Sequence, residues 1–184
     1  QTVTRFGLGF APDTWDSLVR AMKALGYSEQ ELFDGGLVRH GRSGGVYDTF
    51  RNRLMFPVID VRGNVIGFSG RILGDGEPKY MNSPETIVFS KSHNLFALNL
   101  AKKSKCGYII LAEGNIDVAS LHQAGFDSAV ASLGTSLTPE QARLLSRYTS
   151  EIVIAYDNDG AGQKASQRAI GILEKLEVRV RVLQ

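Results

Sequence analysis

The chain has 184 residues, of which 43% are hydrophobic and 22% charged, and its formal net charge is +2. This composition belongs to a folded globular protein with room for one large domain or two small ones, and it excludes a disordered or fibrous chain. No run of about 18 apolar residues occurs, so no membrane partner is expected, and the single cysteine, Cys106, excludes an internal disulfide and a cysteine-based zinc site.

The first residues, Gln1 to Phe10, carry no signal-peptide pattern and no initiator Met, so the chain is expected to be an excised fragment, and its lone cysteine fits a cytoplasmic location. Apolar residues at helical spacing predict an amphipathic helix over 13–25, carried by Trp15, Leu18, Val19, Met22 and Leu25. Ser28 and Glu31 form a capping-box pattern for a short second helix that Gly35-Gly36 closes. Residues 53–61 and 65–70 predict a strand pair turned at Arg62-Gly63-Asn64, with Pro57 expected at an edge or bulge. Residues 74–94 are rich in Gly, Pro, Ser and Asn and are expected to be mostly loop; a helix is expected over 94–103.

From Tyr108 the pattern changes. Strands over 108–112, 128–132, 152–156 and 178–183 alternate with helices over 117–124, after Thr138-Pro139, and over about 161–176. Such alternation predicts a mainly parallel sheet covered by helices on both faces. The expected class is therefore α/β: a mainly parallel sheet flanked by helices, preceded by a smaller mixed α+β lobe, with domains 1–101 and 102–184.

Charge is unevenly distributed. From Arg39 to Lys105 there are 11 basic and 5 acidic residues, which suggests a polyanion surface. Two of the predicted strands end in acids: 108–112 runs into Glu113, with Asp117 four residues later, and 152–156 runs into Asp157 and Asp159. In open α/β sheets, ligands lie beyond the carboxyl ends of the strands. If the two strands are neighbours, four carboxylates are expected to converge there. Two carboxylates about 5 Å apart repel by about 3 kcal/mol at an effective dielectric of 20, so a cation should compensate them. Carboxylates without His or Cys suit Mg²⁺ or Mn²⁺. Gly114, Gly160 and Gly162 would let the backbone turn tightly and approach a ligand. The competing reading of Asp-x-Asp-Gly is a turn with helix capping.

Glu113 followed by Asp157-x-Asp159 resembles the TOPRIM domain of primases, topoisomerases and some nucleases. The segments 53–57 (RLMFP), 66–71 (IGFSGR), 78–85 (PKYMNSPE), 89–91 (FSK), 113–118 (EGNIDV), 129–139 (AVASLGTSLTP) and 156–162 (YDNDGAG) resemble, in the same order, the catalytic core of bacterial DnaG-type primases. The resemblance implies a DNA-dependent RNA polymerase that makes short RNA primers from ribonucleoside triphosphates on single-stranded DNA at the bacterial replication fork. The full-length protein would work with the replicative helicase. It implies that Glu113, Asp157 and Asp159 are catalytic, and that with Asp117 they bind Mg²⁺ or Mn²⁺. Arg71, Lys79, Asn82 and Lys91 would hold nucleotide phosphates or template, joined by Arg51, Arg53 and Tyr80.

Lys79 and Tyr80, with Phe68 and Phe89 nearby, mix basic and aromatic residues as single-strand binders do, although core packing is the expected role of Phe56 and Phe68. Asn115 replaces an aromatic residue of the family pattern. Asn158 replaces a glycine, which αL conformation would tolerate. The chain stops at Gln184, before a further Asp-Pro-Asp motif and without the family's zinc ribbon or helicase-binding region, so weakened metal binding is expected. The alternatives are a TOPRIM nuclease or topoisomerase fragment, a non-catalytic single-strand-binding module, and a nucleotide-sensing module.

Overall fold

The computed structural model describes residues 1–42, 44–134 and 136–183. Thr135, inside the 129–139 motif, lies outside the described residues, as does Gln184. The chain divides into two compact units. The first comprises Gln1, Val3–Pro57 and Ile66–Phe89, and the second Thr2, Val58–Val65 and Ser90–Gln184.

The first unit begins with helix α1 (Thr2–Phe6) and strand β1 (Gly9–Ala11). Helix α2 (Ser17–Ala24) starts later than residue 13, because the buried Asp48 carboxylate accepts from the Leu18 and Val19 amides at 2.8 and 3.0 Å and so satisfies the helix's free donors there. Helix α3 (Glu29–Asp34) carries the expected capping box: Ser28 Oγ accepts from the Glu31 amide, and Glu31 accepts from the Ser28 amide at 2.8 Å. Val19, Leu32 and Val38 form a small core beneath these helices.

Strands β2 (Val38–His40) and β3 (Val46–Asp48) pair antiparallel with each other. A separate four-stranded sheet has the order β1-β4-β5-β6, built with β4 (Arg53–Ile59), β5 (Val65–Ile72) and β6 (Tyr80–Asn82). Strand β6 lies within the segment read as loop. Pro57 is not on an edge strand, since β4 lies between β1 and β5. β1 pairs only with residues 53–55, however, so Pro57 lies past its end and no ladder bond to β1 is lost. The turn after β4 is fixed by Asp60, whose carboxylate accepts from the Arg62 and Asn64 amides at 2.8 and 2.9 Å. These backbone donors hold the Asp60 carboxyl below its ordinary pKa.

The second unit is the expected parallel sheet. Its order is β11-β10-β8-β9-β7, from β7 (Leu95–Phe96), β8 (Ile109–Ala112), β9 (Ala129–Ser132), β10 (Glu151–Ala155) and β11 (Arg179–Val182). Four of the strands run parallel; β7 pairs antiparallel with β9 at one edge. The helix expected over 94–103 therefore shrinks to α4 (Leu98–Ala101), because Leu95 and Phe96 join the sheet instead.

The connections carry helices α5 (Asn115–Gln123), α6 (Pro139–Ser146) and α7 (Gly160–Leu173), the last followed by a 3₁₀ turn at Glu174–Leu176. Leu111, Val130, Ile152 and Ile154 are almost entirely buried between the helical layers. Each such side chain stabilises the fold by about 1.5–3 kcal/mol through burial. A sheet covered on both faces exposes its chemistry only at the strand ends, and that is where the acids lie.

Candidate functional site

β8 and β10 are adjacent and parallel, with Ala112 paired to Ala155. The register brings the next residues, Glu113 and Tyr156, off the sheet side by side, followed by Asp157. Glu113 Oε1 accepts from the Asp157 amide at 2.9 Å, which joins the two strand tips directly. Gly162, in the first turn of α7, closes on the same point. A Cβ there would lie 2.0 Å from the Asp157 carbonyl oxygen and 2.8 Å from Glu113 Oε1. Only glycine fits, so the sequence expectation holds at Gly162. It does not extend to Gly160, where a Cβ meets nothing within 4 Å, or to Gly114, whose φ of −137° suits any residue. Burial, and then the charge of Glu113, push the Tyr156 phenol above its ordinary pKa.

The other two acids accept from helix-terminal amides. Asp159 Oδ1 caps α7, accepting from the Ala161 and Gly162 amides at 2.9 and 2.7 Å. Asp117 Oδ2 accepts from the Gly114 amide at 3.0 Å. Four carboxylates therefore do not converge on one point, and among the described residues no group of three or more His, Cys, Asp or Glu is placed to hold a metal ion. The physical reason is that free helix-terminal amides already solvate Asp117 and Asp159. The remaining donor set still suits a hard cation: it consists of oxygens only, and Mg²⁺ commonly takes one or two carboxylates together with substrate phosphates rather than a complete protein cage.

Asn158 accepts from Gln163 Nε2 at 3.1 Å. It is not among the positive-φ non-glycines, which are Asn52, Ala97 and Glu177 among the described residues, so no αL tolerance is needed. Asn115 is buried at the start of α5.

The basic candidates separate by environment. In the β5–β6 ribbon, Arg71 pairs across from Tyr80, and Ser69 from Asn82, which sets all four side chains on one face. The Arg71 guanidinium lies 5.7 Å from the centre of the Tyr80 ring, Tyr80 is 40% exposed, and Arg71 Nε is buried with no hydrogen-bond partner. Lys79 immediately precedes this face and is exposed.

Arg53 differs from these, because it is only 4% exposed. Its Nη1 donates to the carbonyls of Pro78 at 2.9 Å and Gly70 at 3.3 Å and reaches that of Lys79 at 3.5 Å. Burial, with Arg51 contributing, lowers its pKa from the ordinary arginine value. Arg53 is thus a structural cation that fastens the entrance of β6 and positions Lys79 and Tyr80. Gly70 makes room for it, since a Cβ there would lie 2.9 Å from Arg53 Cδ.

Arg51 donates to the Asp48 carbonyl and stacks over Trp15, 4.1 Å from the ring centre, with Tyr47 at 5.2 Å. Trp15 is 65% exposed and sits edge-on to Tyr47. Trp15 and Tyr47 are site candidates that sequence reasoning missed. The helical spacing over 13–25 includes Trp15, but the helix begins at Ser17 and leaves Trp15 in the preceding turn. Phe89 is buried against Gly67 and belongs to the core, not to a stacking surface. Lys91 lies in the second unit, where Gln141 Nε2 donates to its carbonyl at 2.8 Å and fixes its backbone.

A ribbon bearing Arg71 and Tyr80 on one unit and a parallel sheet with acids at its strand ends on the other define a mixed α/β protein. The comparisons with known proteins are specific. Residues 1–102 match the family described as DNA primase catalytic core, N-terminal domain, and residues 107–184 match the Toprim domain. The chain belongs to the DNA primase catalytic-core family. A DNA primase of Clostridium acetobutylicum is 50% identical over 185 residues, spanning all of this chain and 31% of the relative, and that of Escherichia coli K12 is 42% identical over 172 residues, spanning 92% and 30%. Among solved structures, a DnaG primase catalytic domain bound to ssDNA matches with a TM-score of 0.88 at 39% identity, covering 99% of this chain and 58% of that one. A DNA primase domain from Pseudomonas aeruginosa matches with a TM-score of 0.90 at 42% identity, covering 98% and 58%. The chain thus spans about a third of the curated relatives' length.

Proposed function

We propose that this chain is the catalytic part of a primase, a nucleotidyltransferase that synthesises short RNA primers on single-stranded DNA from ribonucleoside triphosphates. The observation that carries the reading is the junction of Glu113 and Asp157 at the tips of two adjacent parallel strands, in a chain that matches primase cores along its length. The match of residues 1–102 to the primase N-terminal domain favours this over a nuclease or topoisomerase fragment. In this reading residues 1–101 are the lobe that binds nucleotide and nucleic acid, and residues 102–184 are the lobe that carries the metal-binding acids.

Glu113 and Asp157, with Asp159 behind them, would hold Mg²⁺ or Mn²⁺, which when bound would acidify the primer 3′-hydroxyl and neutralise the triphosphate. The protein's own residues do the positioning. Gly162 keeps the backbone of α7 against the acids. Asp159 fixes the start of α7 through two amides. Arg71, Lys79 and Lys91 offer charge to phosphates, and Tyr80 and Asn82 share a face of the ribbon with Arg71, where a base can stack and hydrogen-bond. Arg51, with Trp15 and Tyr47, forms a second stacking surface in the first unit. In the longer protein, the replicative helicase is the proposed partner and the bacterial replication fork the proposed location. No helix among the described residues is long and apolar enough to cross a membrane.

The test is ribonucleotide incorporation on a single-stranded template, in the full-length protein, with and without Glu113→Gln. Incorporation should fall by about 100-fold or more, as for loss of a charge-stabilising group at a reacting centre, with melting unchanged. Full activity in the variant rejects the assignment.

A further inference from the structure

Beside the acid junction, α7 forms one wall of an open pocket of about 340 Å³, lined by Ser136, Gly160, Ala161, Lys164, Ala165 and Arg168. Its two cations, Lys164 and Arg168, are not among the sequence-based site candidates. We propose that this pocket is a track for the phosphodiester backbone of a nucleic-acid strand, with Lys164 and Arg168 as its phosphate contacts. The inference rests on the primase reading and adds a binding surface on the unit that carries the acid junction.

The composition, exposure and spacing of α7 carry it. The fourteen residues of α7 include two cations and no acid. Both cations are exposed, and neither is in an ion pair among the described residues. Arg168 Nη1 makes a long hydrogen bond to Ser136 Oγ at 3.5 Å.

Their spacing of four residues sets them about 6 Å apart along the helix axis, close to the separation of successive phosphates in an unstacked strand. Between and before them lie Ala165, Ala161 and Gly160, so the pocket floor is low and a sugar-phosphate chain can approach the helix. Asp159, which adjoins the lining in sequence, directs Oδ1 at the Ala161 and Gly162 amides. The pocket opens one residue past Asp159, so a strand lying in it leads to the acid junction.

The experiment measures binding of a fluorescein-labelled single-stranded oligonucleotide to the chain by anisotropy across a series of salt concentrations. It uses the wild type, the double variant Lys164→Gln with Arg168→Gln, and a comparison variant Arg71→Gln with Lys79→Gln. A nucleoside triphosphate is titrated in parallel. Loss of two phosphate contacts should flatten the logarithmic salt slope by about 1.4, at about 0.7 per contact, with triphosphate affinity unchanged. A slope equal to wild type in the α7 variant, while the Arg71/Lys79 variant loses binding, overturns the pocket and leaves the primase reading intact. Loss of triphosphate affinity with an unchanged strand slope assigns the pocket to nucleotide and overturns the strand track. A wild type that binds no strand at all defeats the primase reading together with this proposal. Lys164→Gln alone, an exposed neutral substitution, gives half the slope change and serves if the double variant melts early.

Discussion

The two units place their charged residues by different physical means. In the second, the sheet decides: a strand buried on both faces can bear a charge only where it ends, so Glu113 and Asp157 follow from the topology of β8 and β10. In the first, neighbours decide. Arg51, Arg53 and Arg71 lie within 21 residues of each other, yet one stacks on Trp15, one is buried against carbonyls, and one faces Tyr80. Position along a strand fixes an acid at a sheet edge, whereas the role of an arginine depends on what surrounds its long stem.

That contrast orders the expected effects. The largest belongs to Gly162→Ala. The added methyl would overlap the Asp157 carbonyl, so the variant should lose about 1–3 kcal/mol of stability as an overpacked site and lose primer synthesis with it. Thermal melting and ribonucleotide incorporation check this together. A fully stable and active variant would break the claim that the sheet edge is built around this glycine.

Next comes Arg53→Leu, which leaves the carbonyls of Gly70 and Pro78 without their buried donor and should cost about 1–3 kcal/mol. Denaturant unfolding measures it. The same experiment on Arg71→Gln should show little change. Equal destabilisation by both would erase the division between a structural and a ligand-facing arginine.

A smaller effect is expected for Asp159→Ala, which removes the cap of α7 and should cost about 1 kcal/mol. The smallest is Lys79→Gln, an exposed residue, which should leave melting unchanged and flatten the salt slope of single-strand binding by about 0.7.

The same contrast explains what the sequence disclosed. The alternation after Tyr108 places β8, β9, β10 and β11 within about a residue or two of their bounds, because continuous apolar runs between helices carry a strong signal. β1, β2, β3 and β6 are three residues each and too short for any periodicity to register. Glu113 and Asp157 were legible because they end strands. The engagement of Asp117 and Asp159 by amides was not, since it depends on which helix-terminal amides are free once α5 and α7 have formed. Arg53 is grouped with the phosphate- or template-holding residues by resemblance; its burial becomes visible only when Gly70 and Pro78 close around it.

The central claim is that a pair of acids, not a complete cage, meets a divalent ion brought by nucleotide phosphates. Mn²⁺ binding to the chain, followed by electron paramagnetic resonance with and without a ribonucleoside triphosphate, tests it most directly. The account predicts weak uptake of Mn²⁺ alone, clear uptake of the Mn²⁺–nucleotide complex, and loss of that gain in Glu113→Gln with Asp157→Asn. Tight binding of Mn²⁺ without nucleotide, or uptake indifferent to both substitutions, would contradict it.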